Sequence, residues 1–362
     1  MKHLKDISVF FIIGRPRTGT SLLRTLFDAH PKVNIPLECQ FIIDLYPKYG
    51  AIKKWTERQI SSFLKELEKE LFFDYWTINM DNLQKDLLSQ KEELDYATVC
   101  KMVIFHYQSF FNDKQVVLLG DKNPGYTIYT EKLLKIFPEA KFIFINRDYR
   151  DNFISLKKVD FELPFISMVT YKWKYFYKAF LKARQKQPDR YYYIRYEDLV
   201  DQPDVHFSML CNFLGIPANN KVFDFYKKAG KIKNIYPEEQ INKYHSSLLK
   251  PISRNKIGLW KKELSQRKVQ IADFVAGKYA AKGGYEKAYR KSGPRVKIIA
   301  APGVLAAKTL YLLTNIINLF PYKLRKLILS EGPLFLGGIY LKLFRRKKYG
   351  RKNAFQKGEK KT

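Results

Sequence analysis

The feature that most constrains this chain is an apolar segment that runs straight into a glycine-bounded loop and then a helix. Ser8 to Ile13 is a run of β formers, Gly14-Arg15-Pro16-Arg17-Thr18-Gly19 follows, and Thr20 to Ala29 has helical spacing at Leu22, Leu23, Leu26 and Phe27. Gly14 and Gly19 fit the frame G-x-x-x-x-G-K-[ST], but Thr20-Ser21 come next and the Lys is absent. The physics of an anion-binding loop survives that change. Glycines let the backbone approach an anion, and the free N–H groups and dipole of the following helix favour negative charge. Thr18, Thr20 and Ser21 add hydroxyl donors, and the Arg17 fork can replace the Lys as the cation. The plain alternative is a tight turn with capping hydroxyls; the density of glycine, arginine and hydroxyl side chains favours the anion loop.

The rest of the chain continues the alternation. Residues 56–112 read as mainly helical, with Phe63, Leu64, Leu67 and Leu71 on one face. Gln115 to Leu119 reads as a strand, Tyr126 to Phe137 as a helix stopped by Pro138, and Lys141 to Ile145 as a strand with a helix after Asp148. Tyr191 to Ile194 is another strand, and Pro203 to Leu214 a helix closed by Gly215. This order predicts an α/β fold, a P-loop-like parallel sheet flanked by helices. Acids nearly vanish after Ser292-Gly293-Pro294, which divides the chain into a first domain, 1–292, and a basic, apolar C-terminal helical extension, 293–362.

Composition excludes several classes. With 46% hydrophobic and 15% aromatic residues the chain is neither disordered nor of low complexity. Cys39, Cys100 and Cys211 are odd in number and far apart, which argues against a disulfide framework or zinc site and for a reducing compartment. The N-terminal apolar run is short and lacks a small-residue cleavage site, so it does not read as a signal peptide, and a cytoplasmic location is expected. The net charge is +31, and the stretch from Ala288 to Thr362 supplies 18 Lys and Arg against two acids, Glu331 and Glu359. Such charge implies phosphate-bearing partners: a nucleotide, an anionic lipid or a nucleic acid. Ile298 to Phe320 carries one charge, Lys308. It is long enough to span a bilayer, which takes about 20 apolar residues. Pro302-Gly303 interrupts it, however, and Lys308, Tyr311, Asn315, Asn318 and Tyr322 form a polar stripe. It is expected to lie in an anionic membrane interface, with core packing as the alternative. A second apolar stretch, Leu327 to Phe344, leads into Arg345-Arg346-Lys347-Lys348.

Four further clusters carry chemistry. Asn146-Arg147-Asp148-Tyr149-Arg150-Asp151 follows a strand, with Ser155 two turns into the next helix. An Arg at the C-terminal end of a strand faces the ligand crevice of an open α/β sheet, although R-D-x-R-D also occurs as a surface salt-bridge pattern. Asp121-Lys122-Asn123-Pro124 follows the Val116–Leu119 segment. Arg195-Tyr196-Glu197-Asp198-Leu199 ends the later strand, and Lys256-Ile257-Gly258-Leu259-Trp260-Lys261 reads as a late Gly turn.

Together these residues resemble the PAPS-dependent sulfotransferases. Arg15-Pro16-Arg17-Thr18-Gly19-Thr20-Ser21, continued by Leu22-Leu23-Arg24, Asp28-Ala29-His30-Pro31 and Glu38, is similar to the 5′-phosphosulfate loop of the tyrosylprotein and bacterial branch, P-R-S-G-T-[ST]. The resemblance covers roughly residues 8 to 260. It implies that Arg15, Arg17, Thr18, Gly19, Thr20 and Ser21 hold the 5′-phosphosulfate of PAPS, and that Arg147 and Ser155 hold the 3′-phosphate. It places Tyr196 beside the nucleotide and Lys256 in a loop closing over its 3′-phosphate end, with PAP as product and no metal. A glutamate at the Arg17-to-Glu38 spacing is that branch's catalytic base, and the family's [ND]-K-x-P lysine, here Lys122, faces the transferring group. The small-molecule branch instead uses a loop Lys and a catalytic His. This chain has Arg17, and His30 fits a structural place. His106 and His245 stay alternatives to Glu38 as base.

The reading is thus a sulfotransferase moving a sulfuryl group from PAPS to an acceptor hydroxyl of a lipid, sterol, glycan or other alcohol. The segments 40–115 and 159–170 are expected to line the acceptor site. One rival is a P-loop nucleotide kinase or NTPase, which would need a loop Lys and magnesium. Another is a non-enzymatic basic protein bound to nucleic acid or membrane; against nucleic acid, the basic surplus lies beside apolar helices and not aromatic platforms.

Overall fold

The computed structural model describes residues 4–111, 114–159, 161–233, 241–317, 319, 320, 324 and 328. Five parallel strands form one sheet in the order β2-β3-β1-β4-β5: β1 Ser8–Gly14, β2 Val33–Asn34, β3 Leu118–Lys122, β4 Lys141–Asn146 and β5 Tyr191–Arg195. The chain leaves β1 toward β2 and β3 on one side and returns to β4 and β5 on the other. A ligand crevice opens at the carboxyl ends of the strands where such a reversal occurs. The register brings the site to that edge. Ile12 lies opposite Lys122, Gly14 opposite Ile145, and Asn146 opposite Arg195.

Both faces of the sheet are covered, which is why β1 is a continuous apolar run and not an alternating one. Phe10 and Ile12 join a core with α1 (Thr20–Asp28), where Phe27 meets Phe10 at a centroid separation of 4.9 Å. Phe11 faces the other way and stacks on Phe142. A fully buried Phe or Ile contributes about 1.5–3 kcal/mol, so β1, with six of its seven residues buried, is strongly held. Between β2 and β3 lie α2 (Glu57–Leu67), started by a Thr56–Gln59 capping box, α3 (Met80–Ser89) and α4 (Tyr96–Phe105). After β3 come α5 (Thr130–Ile136), α6 (Tyr149–Leu156) and α7 (Ile166–Lys186). After β5 come α8 (Tyr196–Asp201), α9 (Pro203–Leu214), α10 (Gln266–Ala276) and α11 (Pro294–Ile317).

Several local expectations are corrected. The third strand is Leu118–Lys122, so Asp121 and Lys122 end the strand and do not follow it; Val117, expected inside it, is exposed. Leu71 lies past the end of α2 and is exposed, off the face of Phe63, Leu64 and Leu67. A 3-10 turn, Pro124–Ile128, replaces the first part of the expected helix. Residues 166–170, the end of the segment expected to line the acceptor site, begin α7. Pro302-Gly303 does not interrupt the tail helix, because Pro302 and Ile298, whose carbonyl loses its partner, are exposed to solvent.

The chain divides into two units, Met1–Ala307 and Lys308–Thr362. Within the first, α11 lays Ala300, Gly303 and Ala307 inward, and a Cβ on Gly303 would fall 2.1 Å from Ser167 Oγ at the start of α7. The expected second apolar stretch and its basic end lie, apart from Ile328, outside the described residues.

Candidate active site

The loop between β1 and α1 is held in an unusual backbone path. Gly14, Arg17 and Gly19 have φ of 154°, 70° and 103°. A Cβ on Gly14 would sit 2.6 Å from the Ile145 carbonyl, and one on Gly19 2.5 Å from the Tyr196 ring. Arg17 is a non-glycine residue in the left-handed region, a strain that persists only where surrounding contacts enforce it. Its guanidinium supplies them: Nε donates to Ser155 Oγ at 3.1 Å and Nη1 to the Tyr244 carbonyl at 2.7 Å. Thr20 and Ser21 open α1, whose N-cap, Gly19, offers no side-chain cap, and the first turn carries no acid. The positive end of α1 therefore points out of the loop uncompensated.

Arg147 leaves the end of β4 beside this loop. Its Nη1 donates to the Arg17 carbonyl at 3.4 Å, Nη2 to the Lys256 carbonyl at 2.5 Å, and its guanidinium lies 4.8 Å from the Tyr196 ring centroid. Its Nε is buried without a hydrogen-bond partner among the described residues. Arg17, Arg147 and Lys256 thus form a cation cluster, and none of the three makes an ion pair among the described residues. Burial and the Arg147 charge hold the Arg17 pKa below its usual value; burial and both arginines do the same to Lys256. Like charges gathered this way need an anion.

The second half of the site is an ion pair. Lys122 Nζ donates to Glu38 Oε2 at 2.5 Å; the lysine side chain is buried, the glutamate one-third exposed. Behind them Asp121 is buried and accepts from Asn123, and burial pushes its pKa up to about 7. His245 is half-buried. Burial and the charges of Lys122, Arg17 and Arg24 push its pKa down to about 3, so it stays neutral and is a weak proton acceptor. His106 lies against Asp86. His30 bonds Pro217 and Lys32 in the structural place expected.

Not every expected residue faces the crevice. Arg15 is buried in a pair with Glu162, which also holds Lys172 at 2.6 Å. Thr18 is buried and its hydroxyl donates to the Arg15 carbonyl at 2.7 Å, so both shape the loop from behind. Glu197 points away from the crevice and accepts from the Asp148 amide and the Tyr285 hydroxyl. The partners that complete the site carry no signal in the sequence. Asp151 accepts from the amides of Gly258 and Trp260 at 2.6 and 2.9 Å, anchoring the late turn that bears Lys256. Glu162 comes from a loop and Tyr244 from a short π-helical turn, Ile241–His245, neither with a readable motif.

The fold and this cluster define an α/β protein with an anion-binding loop at the switch point of its sheet. Residues 10–220, more than half the chain, match the Sulfotransferase family, and the chain belongs to it. Protein-tyrosine sulfotransferase 1 of Danio rerio is 26% identical over 268 residues, covering 71% of this chain and 66% of that one. The omega-hydroxy-beta-dihydromenaquinone-9 sulfotransferase Stf3 of Mycobacterium bovis is 26% identical over 251 residues, covering 57% and 62%. The chain spans between 47% and 66% of the length of the protein-tyrosine sulfotransferases it matches in Danio rerio, Drosophila melanogaster and Caenorhabditis elegans. Among solved structures, the sulfotransferase domain from the Synechococcus PCC 7002 olefin synthase is 20% identical with a TM-score of 0.48, covering 74% of this chain and 94% of that one.

Proposed function

We propose that the protein is a PAPS-dependent sulfotransferase acting on an acceptor alcohol. The observation that carries this is the unpaired cluster of Arg17, Arg147 and Lys256 at the open end of α1. Anionic groups at both ends of a nucleotide fit it: a 5′-phosphosulfate against the loop amides, Thr20, Ser21 and Arg17, and a 3′-phosphate against Arg147, Ser155 and Lys256. Tyr196 lies between them against Gly19.

PAPS supplies the activated sulfuryl group, and the chain's residues do the rest. Glu38 takes the acceptor's hydroxyl proton as the oxygen attacks sulfur. The bond from sulfur to the bridging oxygen breaks, and its electron pair leaves on PAP. Lys122, within hydrogen-bond reach of Glu38, and Arg17 offset the charge that grows on the leaving and equatorial oxygens. Positioning in a partly dry crevice supplies most of the acceleration, as in phosphoryl transfer. Three free, buried cysteines support a reducing compartment such as the cytoplasm.

The test is thermal stabilisation by PAP together with transfer from radiolabelled PAPS. PAP is expected to raise the melting temperature and label to move to an acceptor without magnesium. Stabilisation by magnesium nucleotide alone, with no response to PAP, would overturn the reading in favour of a kinase or NTPase.

A further inference from the structure

An exposed apolar surface begins beside the transfer site. In the segment 161–165, the Glu162 side chain is buried against Arg15, while its neighbours Phe161 and Phe165 are 61% and 50% exposed. The Phe161 ring meets Tyr244, whose carbonyl takes the Arg17 hydrogen bond. Phe165 is the N-cap of α7, and the residues after it, Ser167 and Met168, are the ones that Gly303 of α11 approaches. On the face of α11 opposite Ala300, Gly303 and Ala307, Ile298 and Leu305 are 72% and 65% exposed. The loop at the site and the apolar helix are thus joined through one contact.

Scattered exposed hydrophobics need no explanation, but this helix does. Of its residues before Lys308 only Ala300 and Ala307 are buried, where a core helix of that composition would be covered. The charge around it selects the cover. Arg290, Lys291, Arg295 and Lys297 are exposed, and none forms an ion pair among the described residues. A second copy of a chain with net charge +31 would be repelled, whereas an anionic bilayer attracts each basic residue and takes the apolar side chains.

We propose that this face docks on an anionic lipid bilayer and that the acceptor is the hydroxyl of a lipid resident in it, entering past Phe161 and Phe165. The inference rests on the sulfotransferase reading and narrows its acceptor class. A lipid alcohol held at headgroup depth presents its oxygen at the surface where Phe161 and Phe165 lie, so Glu38 need not draw the substrate into water.

The test uses the full chain. Phosphatidylcholine vesicles with phosphatidylglycerol are expected to co-sediment the protein at low salt and release it at high salt; vesicles without phosphatidylglycerol should bind it weakly. Replacing Ile298 and Leu305 together by Asp should weaken vesicle binding about a hundredfold. Arg295→Glu with Lys297→Glu should weaken it about tenfold, leaving the apolar face intact. Both variants should keep full PAP stabilisation, which shows that they fold. With radiolabelled PAPS and vesicles of total membrane lipid, label should enter the organic-extractable fraction and fall in step with vesicle binding in each variant. Failure to bind anionic vesicles at low salt, unchanged binding by both variants, or label confined to water-soluble products overturns the proposal. Loss of PAP stabilisation in the wild-type chain would instead overturn the sulfotransferase reading, and vesicle binding is read separately.

Discussion

Glu38→Gln is the sharpest change at the residue scale. It keeps the shape and a hydrogen bond to Lys122 but cannot take a proton, so transfer should fall about 10²–10⁴-fold while PAP affinity stays within a few-fold. Retained turnover in a labelled-PAPS assay would move the base elsewhere, and His245 would be next to test. Arg147→Ala should weaken PAP binding by about 1.5–3 kcal/mol, a lost charge-assisted contact, while the 3′-dephospho analogue loses little. Calorimetry with both ligands separates that role from a general one. Asp121 yields a pH prediction. Its carboxyl titrates near 3.8 unfolded and about 7 folded, so between those values the folded state holds the extra proton. Its contribution to stability is therefore present below about 4 and lost as pH rises through 7, by about 1.4 kcal/mol per unit. Asp121→Asn should flatten that part of a stability-versus-pH curve measured by urea unfolding.

At the scale of elements, both the loop and the tail helix depend on glycine. Gly19 combines a φ of 103° with the Tyr196 ring, so any side chain there is strained and also pushes the ring away. Gly303 lets α11 meet α7. For Gly303→Val, Ser167 could rotate aside, but the Met168 amide, 3.1 Å from the added Cβ, cannot. Overpacking of this kind costs about 1–3 kcal/mol. The melting temperature should drop while PAP stabilisation is retained.

For the whole molecule, the two units make a truncation prediction. Deleting Lys308–Thr362 removes no residue of the nucleotide site and none of the buried contacts of Ala300, Gly303 and Ala307. It should leave PAP stabilisation unchanged. Deleting everything after Gly293 also strips the first half of α11 from α7, and the melting temperature should fall. Differential scanning of both truncations with and without PAP decides whether the tail is an appendage from Pro294 or only from Lys308.

The sequence by itself determined the parts whose physics is local. The β1 run, the Gly14–Gly19 loop and the α1 start are written in consecutive residues, because a buried strand, left-handed glycines and a free helix end each leave a short-range pattern. So are Arg147 after β4 and Gly215 after α9. Tertiary structure decided the rest. Arg15 and Arg17 look alike in sequence, yet Arg15 turns to Glu162 while Arg17 turns to Ser155 and Tyr244. Which arginine faces the crevice depends on where loops distant in the chain place a carboxylate. Pro302 and Gly303 read as a helix break, yet they sit inside α11 because the proline faces solvent and the glycine faces α7. Glu38 and Lys122 meet because β2, which precedes Glu38, pairs with β3, which ends in Lys122, in one register. Pairing across such separations is set by burial of the whole sheet, which no short window of sequence contains.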